Sequence, residues 1–204
     1  MGRPRTDIQP RIVHAARARF LAEGVDGASL RQIAADARTS IGMIYYYFPE
    51  KDDLFLAVVE QPYERLLAEM TIALAPDLGV IERLRRLYVR LGALAPGELE
   101  VIRLVVREAL VSPPRMARLA QRFRRGHLPL MLATVADGVA DGTFRADLHP
   151  ALILLAMITL GGPPQMMRRV AVRELPVAAL PEGPALADQL VDVLLNGVGG
   201  KRRK

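Results

Sequence analysis

The chain has 204 residues, enough for one large domain or two small ones with a hydrophobic core of their own. Hydrophobic residues make up 51% and charged residues 25%, which excludes a disordered or collagen-like chain, and the absence of cysteine excludes disulfide frameworks, thiolate catalysis and cysteine-ligated zinc. The net charge is +6, but four basic residues at 201–204 supply +4 of it, so the charge of the body is modest.

The spacing of apolar residues and the positions of glycine and capping residues predict the first helices. Helical spacing dominates throughout and no segment alternates as a strand does, so the fold class is predicted to be all-α. A first helix of about 17 residues is expected to stop at Gly24, since glycine favours helix ends. Ser29 and Gln32 are spaced as a capping box, which predicts a second helix that ends at Asp36 or Ala37.

A third short helix carries four of the ten aromatic residues of the chain, at 45–48. Thr39 or Ser40 is expected to cap it, and Pro49 to end it. Its buried face is predicted to hold Ile41, Ile44, Tyr45 and Phe48. Because a helix cannot bury four consecutive residues, Tyr46 and Tyr47 are expected to face outward with Gly42 and Met43.

Six further helices bring the expected total to about nine. The fourth opens at 50–53 with a kink or break at Pro62, and the others are expected near 79–95, 98–111, 115–139, 149–169 and 185–196. A loop is predicted at 141–147. The most apolar run, 151–162, is shorter than the roughly 20 residues that span a bilayer, so it is interpreted as a buried helix, and no membrane association is expected.

Two short helices joined by a tight turn indicate a helix-turn-helix, in which the second helix lies in the major groove of DNA. Here that helix is 40–47, whose outward tyrosines can donate to phosphate and stack on sugar. Residues 7–60 resemble the DNA-binding domain of the TetR family of bacterial transcriptional regulators. The resemblance rests on 20–24 (FLAEG), 29–34 (SLRQIA) and above all 42–51 (GMIYYYFPEK).

The resemblance implies a set of DNA-contacting residues. Lys51 would meet a phosphate at the N-terminus of the fourth helix, Arg31 could reach bases or phosphate, and Arg3 and Arg5 could follow the DNA as an arm. The chain departs from the family at the turn, where Arg38 replaces the usual glycine, and at Ile41, often polar in relatives. Base readout is therefore expected to be partly apolar and partly shape-based. The full candidate set is Arg31, Arg38, Ser40, Ile41, Gly42, Met43, Tyr45, Tyr46, Tyr47 and Lys51.

Residues 51–200 are expected to form a domain for ligand binding and dimerisation, after a DNA-binding domain at 1–50. The resemblance is weaker here and rests on helix layout and on 142–147 (GTFRAD). It implies a small-molecule pocket and a homodimer through the last two helices, for which 151–162 and the stripe Leu186, Leu190, Val193 and Leu194 have suitable composition, although core packing competes strongly for the first of them. Pocket candidates are aromatic, Met and isolated polar residues: Tyr63, Tyr88, Arg103, Met116, Phe123, His127 and Met131.

The sequence predicts a cytoplasmic, homodimeric regulator that a small, largely apolar effector releases from a pseudo-palindromic operator. A repressor is favoured, and an activator is the main alternative. An all-helical enzyme using Glu100 and Glu108 is the distant one, because no nucleophile, base and orienting group are clustered. The histidines His14, His127 and His149 are too scattered for a metal site, no cofactor is expected, and 122–125 is interpreted as a solvated edge.

Overall fold

The computed structural model describes residues 7–170 and 176–198, and in this part of the chain it is helical and has no strand. The predicted all-α class is confirmed. The helices are α1 Ile8–Gly27, α2 Leu30–Asp36, α3 Ile41–Tyr47, α4 Lys51–Ala73, α5 Val80–Gly92, α6 Pro96–Val111, α7 Pro113–Arg125, α8 His127–Ala140, α9 Pro150–Gly161, α10 Pro163–Val170 and α11 Gly183–Val198, with a 3-10 helix at Pro176–Ala179.

The chain divides into two compact units. The first joins Met1–Leu66 to Pro96–Arg122, so α6 and most of α7 pack with the three N-terminal helices and the first half of α4. The second joins Leu67–Ala95 to Phe123–Lys204. Residues 1–6, which include the predicted Arg3 and Arg5 arm, and the basic tail at 201–204 lie outside the described residues.

Two expected helix boundaries are wrong, and of the kink or break expected at Pro62 the break does not occur. Helix α4 runs through Pro62 without a break, whereas the single helix expected over 115–139 divides at Gly126. Pro129 lies in the first turn of α8, where the missing N–H is tolerated. The helix expected over 149–169 divides at Gly162, before Pro163 starts α10, so the described part of the chain holds more helices than the nine expected.

In the first unit, the helices predicted from apolar spacing bury apolar residues in a common core. Ile12 and Phe20 of α1, Ile33 of α2, Ile44 of α3 and Phe55 of α4 are all fully buried. Helix α1 leaves helical geometry at Gly24, whose φ of 81° and ψ of 166° suit glycine, and this confirms the predicted end of the first helix. Ser29 precedes α2 without a side-chain capping bond, so the predicted capping box is wrong.

The second unit is organised around the buried ring of Tyr88 on α5. Its hydroxyl donates to the carbonyl of Met157 at 3.0 Å, and burial raises the pKa of this phenol. The amide of Gln165 donates to the carbonyls of Tyr88 and Gly161 at 2.7 and 2.8 Å. A Cβ at Gly161 would overlap the ring, so glycine is required here for α9 to approach α5.

Candidate DNA-binding surface

Helix α3 is held in place by its N-cap and by two apolar anchors. The backbone N–H of Met43 donates to Ser40 Oγ at 3.3 Å, as expected for a serine N-cap. Ile44 and Phe48, one helical turn apart, are buried against the core of the first unit. These contacts fix which side of α3 faces solvent.

The solvent face of α3 is aromatic and uncharged. Tyr46 is 76% exposed and Tyr45 is 52% exposed, and the rings of Tyr46 and Tyr47 meet edge to face with centroids 5.1 Å apart. The prediction that Tyr45 and Ile41 pack inward is wrong, because Ile44 and Phe48 occupy the one side of this seven-residue helix that meets the core. Gly42 is also exposed, while Met43 and Tyr47 are half-buried.

The turn before α3 is set by two arginines. Arg38 has a φ of 51°, in the left-handed region that other residues adopt at a cost of about 1–2 kcal/mol. Arg11 of α1 donates through Nε to the carbonyl of Ala37 at 3.1 Å and through Nη2 to the carbonyl of Arg38 at 2.8 Å. Arg11 therefore satisfies carbonyls that the end of α2 leaves unpaired. Arg11 could not be identified from local sequence signals, since its partners lie 26 and 27 residues away.

Replacing Arg38 with glycine is expected to raise the free energy of unfolding by about 0.5–1 kcal/mol, because relief of the left-handed strain exceeds the extra chain entropy of glycine. Arg38→Ala is the matched control, since it removes the same charge and keeps the strain. Urea unfolding of the two variants measures the difference. Equal stability of the glycine and alanine variants would contradict the strain at this turn.

The remaining candidates lie beside α3. Lys51 is the first residue of α4, and its ammonium donates to the carbonyl of Asp26 at 2.9 Å. Burial is the largest influence on this group and lowers the pKa of Lys51 from its ordinary value. Arg31 on α2 is exposed. The structure thus brings α3, Arg31, Arg38 and Lys51 into one compact unit, while their contacts with DNA stay a prediction.

The acids near this surface are engaged by arginines. Arg19 donates through Nε to Asp36 at 2.7 Å, and this contact lowers the pKa of the Asp36 carboxyl. Arg118 donates to Glu50 at 3.1 Å. Between residues 30 and 51 the chain has three cations and only these two acids. This segment therefore has a net charge of +1, and Asp52 and Asp53 follow it directly.

The seven ligand-pocket candidates fall in both units, and their role stays a prediction. In the second unit, the rings of Phe123 and His127 lie 4.9 Å apart, and Met131, one turn further along α8, is buried. Burial lowers the pKa of His127. Tyr88, described above, is a core residue of the same unit.

The first unit holds the other three candidates. The guanidinium of Arg122 lies over the buried ring of Tyr63 at 4.7 Å. Met116 is half-buried, and Arg103 is exposed.

The two acids of the enzyme alternative take part in ion pairs. Glu100 pairs with Arg17 at 2.5 Å, and Glu108 is buried against Arg115. Among residues 7–170 and 176–198, no three acidic or histidine side chains are grouped so that they could hold a metal ion.

Comparison with known proteins agrees with this geometry. Residues 12–58 match the family described as bacterial regulatory proteins, tetR family. The chain is 31% identical over 169 residues to an HTH-type transcriptional repressor of Streptomyces coelicolor, covering 79% of this chain and 82% of that protein. It is 27% identical over 171 residues to the HTH-type transcriptional regulator UidR of Escherichia coli, covering 79% and 84%.

Solved structures show the same fold. A tetR-family regulatory protein from Rhodococcus RHA1 superposes with a TM-score of 0.72 at 23% identity, over 95% of this chain and 98% of that one. FadR from Bacillus subtilis, in complex with stearoyl-CoA, superposes with a TM-score of 0.73 at 16% identity, over 93% and 98%. With relatives that match it over most of its length and a helix-turn-helix in the expected place, the chain belongs to the TetR family of bacterial transcriptional regulators.

Proposed function

We propose that the protein is a ligand-responsive transcriptional repressor that binds a pseudo-palindromic DNA operator through α3. The observation that carries this is the solvent face of α3, where two tyrosines are exposed on a helix without a charged residue and cations lie to either side. Phenol hydroxyls donate to phosphates and ring edges contact thymine methyl groups, while Arg31, Arg38 and Lys51 supply the electrostatic attraction. The cations position the protein, and α3 reads the groove.

A second copy of the chain is the proposed partner at α9. Leu152, Leu155 and Ile158 form an exposed apolar stripe on one side of this helix, which we call the α9 stripe. On α11, by contrast, Leu186, Leu190 and Leu194 are buried within the chain and Val193 is exposed, so the dimerisation stripe expected there is mostly core. An apolar stripe of this kind on a DNA-binding protein suits a twofold interface, which would present two α3 helices to two half-sites.

The apolar segment Pro150–Arg169 is long and apolar enough to cross a bilayer by length and composition, and 22% of an 18-residue stretch within it is buried. The sequence-based expectation of a buried helix is thus wrong for the α9 stripe. We assign this exposed surface to a second subunit and place the protein in the cytoplasm with its proposed DNA operator, because the chain belongs to a family of bacterial regulatory proteins.

The effector is proposed to be a small, largely apolar molecule. Phe123 near the end of α7 and His127 and Met131 in the first turns of α8 support this, since they bring an aromatic ring, an imidazole and a thioether close together in the sequence. FadR from Bacillus subtilis, which shares the fold, is in complex with stearoyl-CoA, a molecule whose stearoyl chain is apolar. An effector that favours a conformation with the wrong half-site separation would release the operator.

Selection from a random duplex library, followed by fluorescence anisotropy on the enriched site, tests DNA binding. We expect a palindromic site bound with a dissociation constant of about 10⁻⁸ M or tighter at physiological salt. Tyr46→Ala should weaken binding about tenfold or more. Leu110→Ala is the matched control, because Leu110 is 83% exposed on α6 of the same unit and is not a DNA candidate. Failure to enrich any site, or equal binding by both variants, would contradict the proposal.

Reporter transcription in vitro from a promoter carrying the enriched site separates repression from activation. We expect less transcript with the protein than without it. More transcript would identify the alternative, an activator. A thermal-shift screen of apolar small molecules then finds effector candidates, since a ligand of the folded state raises its melting temperature, and a true effector must also release the DNA.

A further inference from the structure

Helix α7 presents three arginines to the first half of α4, all within the first unit. Arg115, Arg118 and Arg122 are spaced by three and four residues, so they share one side of α7. We call this the arginine face of α7. The expectation that 122–125 is a solvated edge is wrong for Arg122, which is half-buried and paired with Glu60 at 2.8 Å.

The other two arginines, Arg115 and Arg118, form ion pairs with acids at the beginning of α4. Arg118 donates to Asp53 at 2.5 Å and to Glu50 at 3.1 Å, and Arg115 donates to Asp52 at 3.0 Å. These acids flank or follow Lys51 in the first turn of α4. The arginine face therefore fixes the segment that holds the predicted phosphate contact.

Arg115 is the centre of this network. It is 5% exposed, pairs with the buried carboxylate of Glu108, donates to Asp26 at 2.8 Å and lies over the ring of Phe55 at 5.6 Å. Burial disfavours its charge, but the hydrogen bonds to Asp26 and Asp52 prevail and raise the pKa of the guanidinium. One cation thus lies among three carboxylates, which would repel one another without it.

The same network reaches Lys51 through residues 25 and 26. The backbone N–H of Val25 donates to Glu108 at 3.5 Å, and Asp26 accepts from Arg115 with its carboxylate and from Lys51 with its carbonyl. The last turn of α1, beyond the kink at Gly24, and the start of α4 are therefore both tied to α6 and α7. Removal of Arg115 would therefore loosen both residues 25 and 26 and the start of α4, where Lys51 lies.

We propose that Arg115 is a positioning residue for DNA binding. By pairing with Glu108, Asp26 and Asp52, it holds Lys51 at a fixed distance from α3, so that both meet the operator at once. The proposal rests on the proposed function, because it concerns the same DNA surface.

The test compares Arg115→Met, paired with Glu108→Gln so that no unpaired charge stays buried, with a matched double variant in the second unit. The control is Arg83→Met with Asp137→Asn, since Arg83 is equally buried and pairs with Asp137 at 2.6 Å. Near-ultraviolet circular dichroism identifies a temperature at which wild type and both variants are folded. Anisotropy on the enriched duplex is then measured across a salt series.

We expect the Arg115 variant to bind about tenfold or more weakly. The slope of log affinity against log salt should fall by about 0.9 for each phosphate that the variant no longer neutralises. The Arg83 control should keep the slope of the wild type. A merely structural role of Arg115 would reduce the active fraction without changing the slope.

Arg118→Gln provides a second test in a variant that is expected to fold, because the Arg118 side chain is 37% exposed and its replacement buries no unpaired charge. It should lower affinity and slope in the same direction by a smaller amount, and Arg118→Lys should restore part of both. If the wild type binds the duplex and the Arg115 and Arg118 variants bind it with unchanged affinity and slope, the positioning role is overturned and the proposed function stands. If the wild type binds no duplex, the proposed function itself fails.

Discussion

Gly24→Ala is expected to lower the free energy of unfolding by about 2–3 kcal/mol and to weaken operator binding by the folded protein. The φ of 81° and ψ of 166° at Gly24 lie in a region that is essentially restricted to glycine, and a side chain there costs about 1–3 kcal/mol. A Cβ would also overlap the guanidinium of Arg107. Because Val25 and Asp26 follow directly, relief of the strain would displace the two residues that tie Lys51 to Arg115.

A double variant separates the backbone strain from the overlap. Arg107 is exposed, and its end can move away at little cost, so the strain should be the larger part. Gly24→Ala in an Arg107→Ala background should therefore lose nearly as much stability as in the wild type. Urea unfolding measures both backgrounds, with Arg107→Ala alone as the reference. If Arg107→Ala restores the stability, the overlap is the cause and the strain at Gly24 is refuted.

Local sequence signals predicted the parts of the site that depend on neighbours within one turn. Gly24 as a helix end, Ser40 as the cap of α3, and Ile44 with Phe48 as its anchors all follow from residue type and spacing. The motif around α3 added the family and Lys51. Such signals show which residues can cap a helix or form its buried face. They suffice where the relevant contacts lie within a single helix.

Contacts between distant segments could not be predicted in this way. Arg11 reaches the α2–α3 turn across 26 residues, and Arg115 reaches Asp52 and Asp26 across 63 and 89 residues. An arginine looks the same in a sequence whether it is solvated or buried among carboxylates. The prediction that Tyr45 packs inward is wrong for a related reason. The spacing of residues along α3 does not show how much of the helix surface the rest of the unit covers.

The dependence of packing on contacts between distant segments also explains why α9, and not α11, exposes an apolar stripe. Both helices are apolar, and composition favoured intramolecular packing most strongly for the first. In the structure α11 buries Leu186, Leu190 and Leu194, whereas α9 keeps the α9 stripe exposed. Which of two apolar helices packs inside depends on their neighbours in space. The α9 stripe is therefore the surface on which the dimer proposal can be tested.

Leu155→Arg is expected to convert the protein to a monomer at micromolar concentration and to weaken operator binding about 100-fold or more. Leu155 is 55% exposed at the centre of the α9 stripe, so a charge there costs the folded monomer little but would be buried without a partner in a dimer. The two α3 helices of one dimer bind the two half-sites of a palindrome as linked sites. Conversion to a monomer removes this linkage, which contributes a factor of about 10²–10⁴ to the affinity.

Sedimentation equilibrium gives the mass, and anisotropy on the palindromic duplex and on a single half-site gives the affinity. Leu110→Arg is the matched control, because it places the same charge at an exposed leucine of the first unit. The Leu155 variant should lose affinity for the palindrome and keep its weak affinity for the half-site, since α3 itself is unchanged. A dimer that persists in this variant, with full affinity for the palindrome, would exclude the α9 stripe as the subunit interface. A monomeric wild type that binds vesicles through the stripe would instead favour a bilayer as its partner.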